Sequence, residues 1–145
     1  MRKITRVSII VILLSTMLLL SACEWTLTGK KEAAVLAFSE TVTDNLFNGL
    51  SANDYTVFSR DFDSDMLERV PATDFADLMK EFDHNLGNYR SRQVDRVTRV
   101  DEFEVVYYTV KFDKEEKITA TIYFHSDRSI AAFGLESDKY SWSAQ

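Results

Sequence analysis

The period of the hydrophobic pattern changes at Gly87, and this change limits the folds that the chain can adopt. Before Gly87 apolar residues recur about every 3.6 residues, the period of an amphipathic helix. After Gly87 the period falls to about 2, and β-branched and aromatic residues dominate as far as Leu135. The chain is therefore predicted to be an α+β protein in which helices come first and a sheet follows.

Three helices are predicted in the first part of the chain. The first runs from Lys31 to Gly49, where a glycine C-cap is expected. The second is a short helix around Tyr55, and an acidic loop follows it. The third opens at Pro71, a residue that suits the first turn of a helix, and stops near Gly87.

Four strands are predicted in the second part, near residues 89–100, 103–112, 117–125 and 129–136. The segments between them are too short for crossover connections, so the sheet should be an antiparallel meander.

The register of the sheet follows from its turns. A two-residue turn after the first strand would place Asp95 opposite Tyr108, on the face that the helices cover. An odd number of residues in the next turn would add Ile118 to this face, whereas an even number would put Lys117 there. Burial favours the odd turn. The last turn then brings Phe133 to the same side.

This order of elements resembles the nuclear transport factor 2-like superfamily, and more closely its members found in prokaryotic lipoproteins. The segments that carry the resemblance are Phe47-Asn48-Gly49-Leu50-Ser51-Ala52-Asn53-Asp54-Tyr55, Gly87-Asn88-Tyr89, Val106-Tyr108-Val110-Phe112 and Arg128-Ser129-Ile130-Ala131. The resemblance implies a cystatin-like α+β cone, with three helices packed on a curved four-stranded sheet and a cavity at the open end. It implies no activity, because the superfamily holds enzymes, carriers and scaffolds alike.

The first 22 residues have the pattern of an export signal. Basic residues precede the apolar run Val7–Leu20, which is shorter than the roughly 20 residues that a spanning helix needs. The segment Leu20-Ser21-Ala22-Cys23 resembles the bacterial lipobox, which implies cleavage before Cys23 and attachment of lipid, such as diacylglycerol and palmitate, to the mature chain. The alternatives are an ordinary signal peptide with an incidental cysteine and an uncleaved short anchor.

Cleavage leaves one domain with an acidic surface. The predicted organisation is a signal peptide at residues 1–22, a lipid-anchored tether at residues 23–30 and a single domain at residues 31–145. Cleavage removes three basic residues and changes the formal net charge from −6 to −9. Such a surface repels nucleic acid, so membrane attachment is expected to come from the lipid rather than from a basic patch. Cys23 is the only cysteine, which excludes a disulfide within the chain.

Three residues on the covered face form the candidate pocket. Asp95 and Tyr108 face each other in the predicted register, and Gln93 lies nearby. A carboxyl and a phenol in an apolar cone are similar to the groups that ketosteroid isomerases of this superfamily use. A buried tyrosine whose hydroxyl bonds to an aspartate is also an ordinary structural pair. No catalytic residue is assigned.

Two polar clusters suggest a metal site but do not complete one. Asp61-Phe62-Asp63-Ser64-Asp65 begins like an EF-hand loop, yet Met66 and Ala72 stand where that loop needs glycine and glutamate. His84 and His125 are predicted at the surface, and no local spacing brings them together. Neither a metal nor a cofactor is expected.

Four arginines crowd the first strand of an otherwise acidic chain. Arg90, Arg92 and Arg96 would share one face and could bind an anionic ligand. The alternative is a solvent-facing strand whose arginines meet carboxylates, with Arg99 opposite Glu104.

The function predicted from these features is that of a lipid-anchored domain at the extracytoplasmic face of the cell membrane or the outer membrane. It is expected to be non-catalytic and to bind a small apolar ligand or an envelope protein. The alternatives are a small isomerase-like or hydrolase-like enzyme that uses the Tyr108 and Asp95 pair, and a homodimer formed through the outer sheet face that carries Tyr107 and Thr109.

Overall fold

The computed structural model describes residues 24–145. The predicted signal peptide and Cys23 lie outside these residues. No helix in the described part is both long enough and apolar enough to cross a membrane.

Residues 24–145 form six strands and four helices, in the order β1 (Glu24–Thr26), α1 (Lys30–Ala52), α2 (Tyr55–Phe58), α3 (Ser64–Arg69), α4 (Ala72–Asn85), β2 (Tyr89–Val100), β3 (Phe103–Phe112), β4 (Ile118–Phe124), β5 (Ile130–Glu136) and β6 (Ser141–Ala144).

The six strands form one antiparallel sheet in the order β1-β2-β3-β4-β5-β6. The predicted α+β class and the antiparallel meander are confirmed, but three helices and four strands are too few. Strands β1 and β6 lie at the edges and have only three and four residues, too few for a period to be visible in the sequence. Trp25 pairs with Arg99, so residues 24–26 of the predicted tether belong to the sheet.

The acidic segment after α2 contains a helix rather than only a loop. Asp63 is the N-cap of α3, and its carboxylate accepts a hydrogen bond from the backbone N–H of Met66 at 2.7 Å. The Met66 side chain is completely buried. Packing of one methionine therefore holds a helix of six residues that would be unstable by itself.

Gly49 lies inside α1 and is not its C-cap. The helix continues to Ala52, and Asn53 takes the left-handed cap position at φ 52°. A Cβ at Gly49 would lie 2.2 Å from the backbone nitrogen of Phe58. Glycine is needed because the end of α2, at Phe58, lies against α1 at this point.

The predicted odd turn between β3 and β4 is confirmed. Ile118 pairs with Val110 and is completely buried, and Lys117 is exposed. Phe133 is also completely buried on the same face, where it pairs with Ile122. Helix α1 packs on this face, and the apolar core lies between them.

Candidate functional site

A β-bulge in strand β2 separates the three residues of the predicted pocket. Val94 pairs with Tyr108 and Arg96 pairs with Tyr107, so Asp95 is an extra residue without a partner on β3. Asp95 is exposed and accepts a hydrogen bond from Arg96 Nη1 at 2.8 Å. The predicted pairing of Asp95 with Tyr108 is therefore wrong. The extra residue shifts the alternation, so the residues of β2 that precede Asp95 point to the opposite face of the sheet from the predicted one.

Gln93 also lies away from Tyr108. It pairs with Thr109 and is exposed. Tyr108 alone occupies the predicted position, fully buried between the sheet and α1. The structure thus brings together none of the three predicted pocket residues.

The hydroxyl of Tyr108 bonds to helix α1 instead. It donates to Glu40 Oε1 at 2.9 Å and lies 3.1 Å from Thr43 Oγ1, which is also buried. Burial raises the pKa of Tyr108 to about 12, so the phenol is neutral at physiological pH. A carboxylate does face the tyrosine, but α1 supplies it.

Arg92 completes this group of residues. Its Nη2 lies 3.0 Å from Glu40 Oε2, its Nη1 lies 2.6 Å from Asp44 Oδ1, and its guanidinium carbon lies 5.3 Å from the centre of the Tyr108 ring. Only 11% of the Arg92 side chain is exposed. The bulge turns Arg92 toward α1 and Arg96 away from it, so the prediction that they share a face is wrong.

The group formed by Glu40, Thr43, Asp44, Arg92 and Tyr108, here the inner polar cluster, joins α1 to strands β2 and β3. Tyr108 is not among the residues that line the five best-defined surface hollows of residues 24–145. Its hydroxyl is already bonded within the protein. These bonds join α1 to the sheet, so the arrangement serves packing.

We expect Tyr108→Phe to lower the free energy of unfolding by about 1 to 2 kcal/mol, because buried Thr43 and Glu40 each lose a partner. Asp95→Asn is the matched control and should change it by less than about 0.5 kcal/mol, since Asp95 is exposed. Thermal melts of both variants make the comparison. A higher melting temperature for Tyr108→Phe would contradict the packing role.

The Tyr108→Phe variant should also differ from the wild type in how its stability changes at alkaline pH. The phenol ionises near pH 10 in the unfolded chain and near pH 12 in the folded one, so the folded state holds the proton more tightly. This contribution to stability is complete below pH 10 and is lost between pH 10 and 12. The wild type should therefore lose stability in that range more steeply than Tyr108→Phe.

The histidines and the remaining strand arginines lie as follows. Residues 24–145 contain no group of three or more histidine, cysteine, aspartate or glutamate side chains placed to hold a metal ion. His125 Nε2 lies 2.9 Å from Asp63 Oδ2, which gives that carboxylate a protein partner. His84 is exposed, and Arg99 Nη2 lies 2.7 Å from Glu104 Oε1 as predicted.

An apolar groove lies at the far end of the sheet, between the end of α1, helix α4 and the start of β2. Its volume is about 440 Å³. The floor is apolar and consists of Leu50, Met79, Phe82, Tyr89 and Phe112. Leu50, Phe82 and Phe112 also belong to the core, so packing fixes the shape of the floor.

The rim of the groove is polar and firmly held. Lys114 Nζ donates to the carbonyl oxygens of Asp83 and His84 at 2.6 and 3.1 Å, at the end of α4. Asn88 Nδ2 donates to Asp113 Oδ2 at 2.8 Å. Gly87 has φ +74°, where a Cβ would lie 2.8 Å from that of Asp113. The sequence offered no signal for this groove beyond the open cone that the resemblance implied.

The fold and the groove together define a class of protein: an antiparallel sheet covered by helices, with a preformed apolar groove. Residues 37–133 match the family described as "Protein of unknown function (DUF3887)", so the chain belongs to that family. No curated protein and no solved structure matches the chain. The matched part contains the inner polar cluster and the whole apolar groove.

Proposed function

We propose that this protein is a lipid-anchored, extracytoplasmic binding domain whose apolar groove holds a small apolar ligand. Lipid on Cys23 attaches it to the membrane, and it catalyses no reaction. The apolar groove is the observation that carries the proposal. Its volume falls within the range of about 300 to 1,000 Å³ that is usual for small-molecule sites.

The chemistry of the groove favours an apolar ligand with one polar end. The floor offers aromatic and aliphatic surface, and the flexible thioether of Met79 can adapt to ligands of different shape. Lys80 and Asn88 stand at the rim, where they could bond to a polar group. Because the rim is already held by hydrogen bonds, little ordering is needed on binding.

The proposal includes membership of the nuclear transport factor 2-like superfamily. Helices that precede an antiparallel meander support it, as do three bulges in the sheet, at Arg90, Asp95 and Ala131.

The enzyme and dimer alternatives have less support. The enzyme alternative needed Asp95 beside Tyr108, and these residues lie on different faces. The dimer alternative needs the outer sheet face, where Arg96 covers Tyr107 with its guanidinium carbon 3.6 Å from the ring centre. An envelope protein that inserts an apolar side chain into the apolar groove is the second candidate partner.

The experiment uses residues 24–145, which contain the whole sheet and core, and the neutral fluorescent probe N-phenyl-1-naphthylamine. We expect the probe to bind with a blue shift and Ala76→Phe to weaken binding about tenfold or more, since the new ring fills the groove. Ala72→Phe, on the same helix but outside the groove, is the matched control. Equal binding by both variants would exclude the apolar groove as the site.

A further inference from the structure

A second hollow, of about 690 Å³, lies beside strand β1 at the other end of the sheet. Trp25, Leu27, Lys30, Lys31, Arg99 and Asp101 line it. Trp25 is 69% exposed, whereas most large apolar residues in the described part of the chain are buried. Trp25 therefore offers apolar surface beside the hollow to another molecule.

The charge of this hollow is opposite to that of the protein. Lys30 and Lys31 are exposed and make no ion pair within residues 24–145, while Arg99 pairs with Glu104. Both lysines stand in the first turn of α1, where the helix dipole disfavours positive charge. Helix stability therefore does not explain why lysines occupy these two positions. An anionic surface facing the hollow would explain them.

The hollow is adjacent to the proposed point of lipid attachment. Glu24 pairs with Val100, and the backbone N–H of Leu27 donates to the carbonyl of Val97 at 2.8 Å. Cys23 directly precedes Glu24 in the chain, and Glu24 is the first residue of strand β1. A lipid on Cys23 would hold this end of the sheet at the bilayer.

We propose that this hollow, the anchor-side hollow, rests on the bilayer and binds the headgroups of anionic phospholipids. The inference depends on the lipid anchor of the proposed function. Lys30 and Lys31 contact the phosphates, and Trp25 lies at the headgroup level, where tryptophan is enriched in membrane proteins. The anionic bilayer surface matches the charge of the lysines, although the protein as a whole is acidic.

This contact with the bilayer determines how the apolar groove is oriented relative to the membrane. Tyr89 and Phe112 line the groove and pair with each other at the far ends of β2 and β3. The twelve residues of β2 span about 36 Å at 3.3 Å per residue. The apolar groove therefore opens away from the bilayer and takes its ligand from the aqueous side.

The test uses the full lipidated protein in vesicles that contain phosphatidylcholine brominated on its acyl chains, with and without about one third phosphatidylglycerol. Bromine quenches nearby tryptophan, and the Trp25→Phe variant supplies the signal due to Trp142 alone. We expect Trp25 to be quenched at least about twofold more in the anionic vesicles, because Lys30 and Lys31 draw it toward them.

Two double variants with the same change of charge complete the test. Lys30→Gln with Lys31→Gln should remove the extra quenching, whereas Lys111→Gln with Lys117→Gln, at the far end of the sheet, should leave it. Protein that floats with vesicles but shows no extra quenching would overturn the anchor-side contact and leave the lipid anchor standing. Wild-type protein that does not float with vesicles would overturn both.

Discussion

Gly49→Ala is expected to lower the free energy of unfolding by about 3 kcal/mol or more, although alanine is the better helix former. Helix propensity alone predicts a gain of about 1 kcal/mol at an interior position. The added Cβ would lie 2.2 Å from the backbone nitrogen of Phe58 and 2.4 Å from its Cα. These are backbone atoms, so relief requires α2 to move away from α1.

Urea denaturation of residues 24–145 measures this effect. Asn48→Ala is the matched control, because Asn48 is exposed on the same helix and should show the small gain that propensity predicts. If the Gly49→Ala variant were as stable as the Asn48→Ala variant, the result would contradict the close contact between α1 and α2 at Gly49. An alanine variant that shows no folded state by circular dichroism, while Asn48→Ala folds, would have the expected sign.

Cys23→Ala is expected to move more than about nine tenths of the protein from the membrane fraction to the soluble fraction, because in the proposed function the lipid supplies nearly all of the membrane affinity. The proposed contacts at the anchor-side hollow are electrostatic and would weaken in salt. Residues 24–145 offer no helix that crosses a membrane. Fractionation after a high-salt wash measures the change.

Ser21→Ala keeps a small residue before the cleavage point and is the matched control, which should stay with the membrane. A Cys23→Ala protein that is exported and cleaved, yet still sediments with membranes after the wash, would refute the lipid anchor.

The contacts of Tyr108 in the inner polar cluster could be predicted from the sequence only in part. A carboxylate opposite Tyr108 was predicted, and a carboxylate does bond to it, but from Glu40 on α1. The predicted register assumed that every residue of β2 has a partner on β3. Nothing in the sequence marks Asp95 as the residue without one. With the bulge between them, Arg92 reaches Glu40 and Asp44 on α1 while Val97 stays in the core.

The sequence by itself determined the α+β class, the antiparallel meander and the odd turn between β3 and β4, because periodicity and turn length act over neighbouring residues. Only the tertiary structure decided the role of Gly49, the bulge at Asp95 and the pairing of β1 with β2. Each of these depends on a contact between segments that are distant in the chain, and such contacts leave no local pattern.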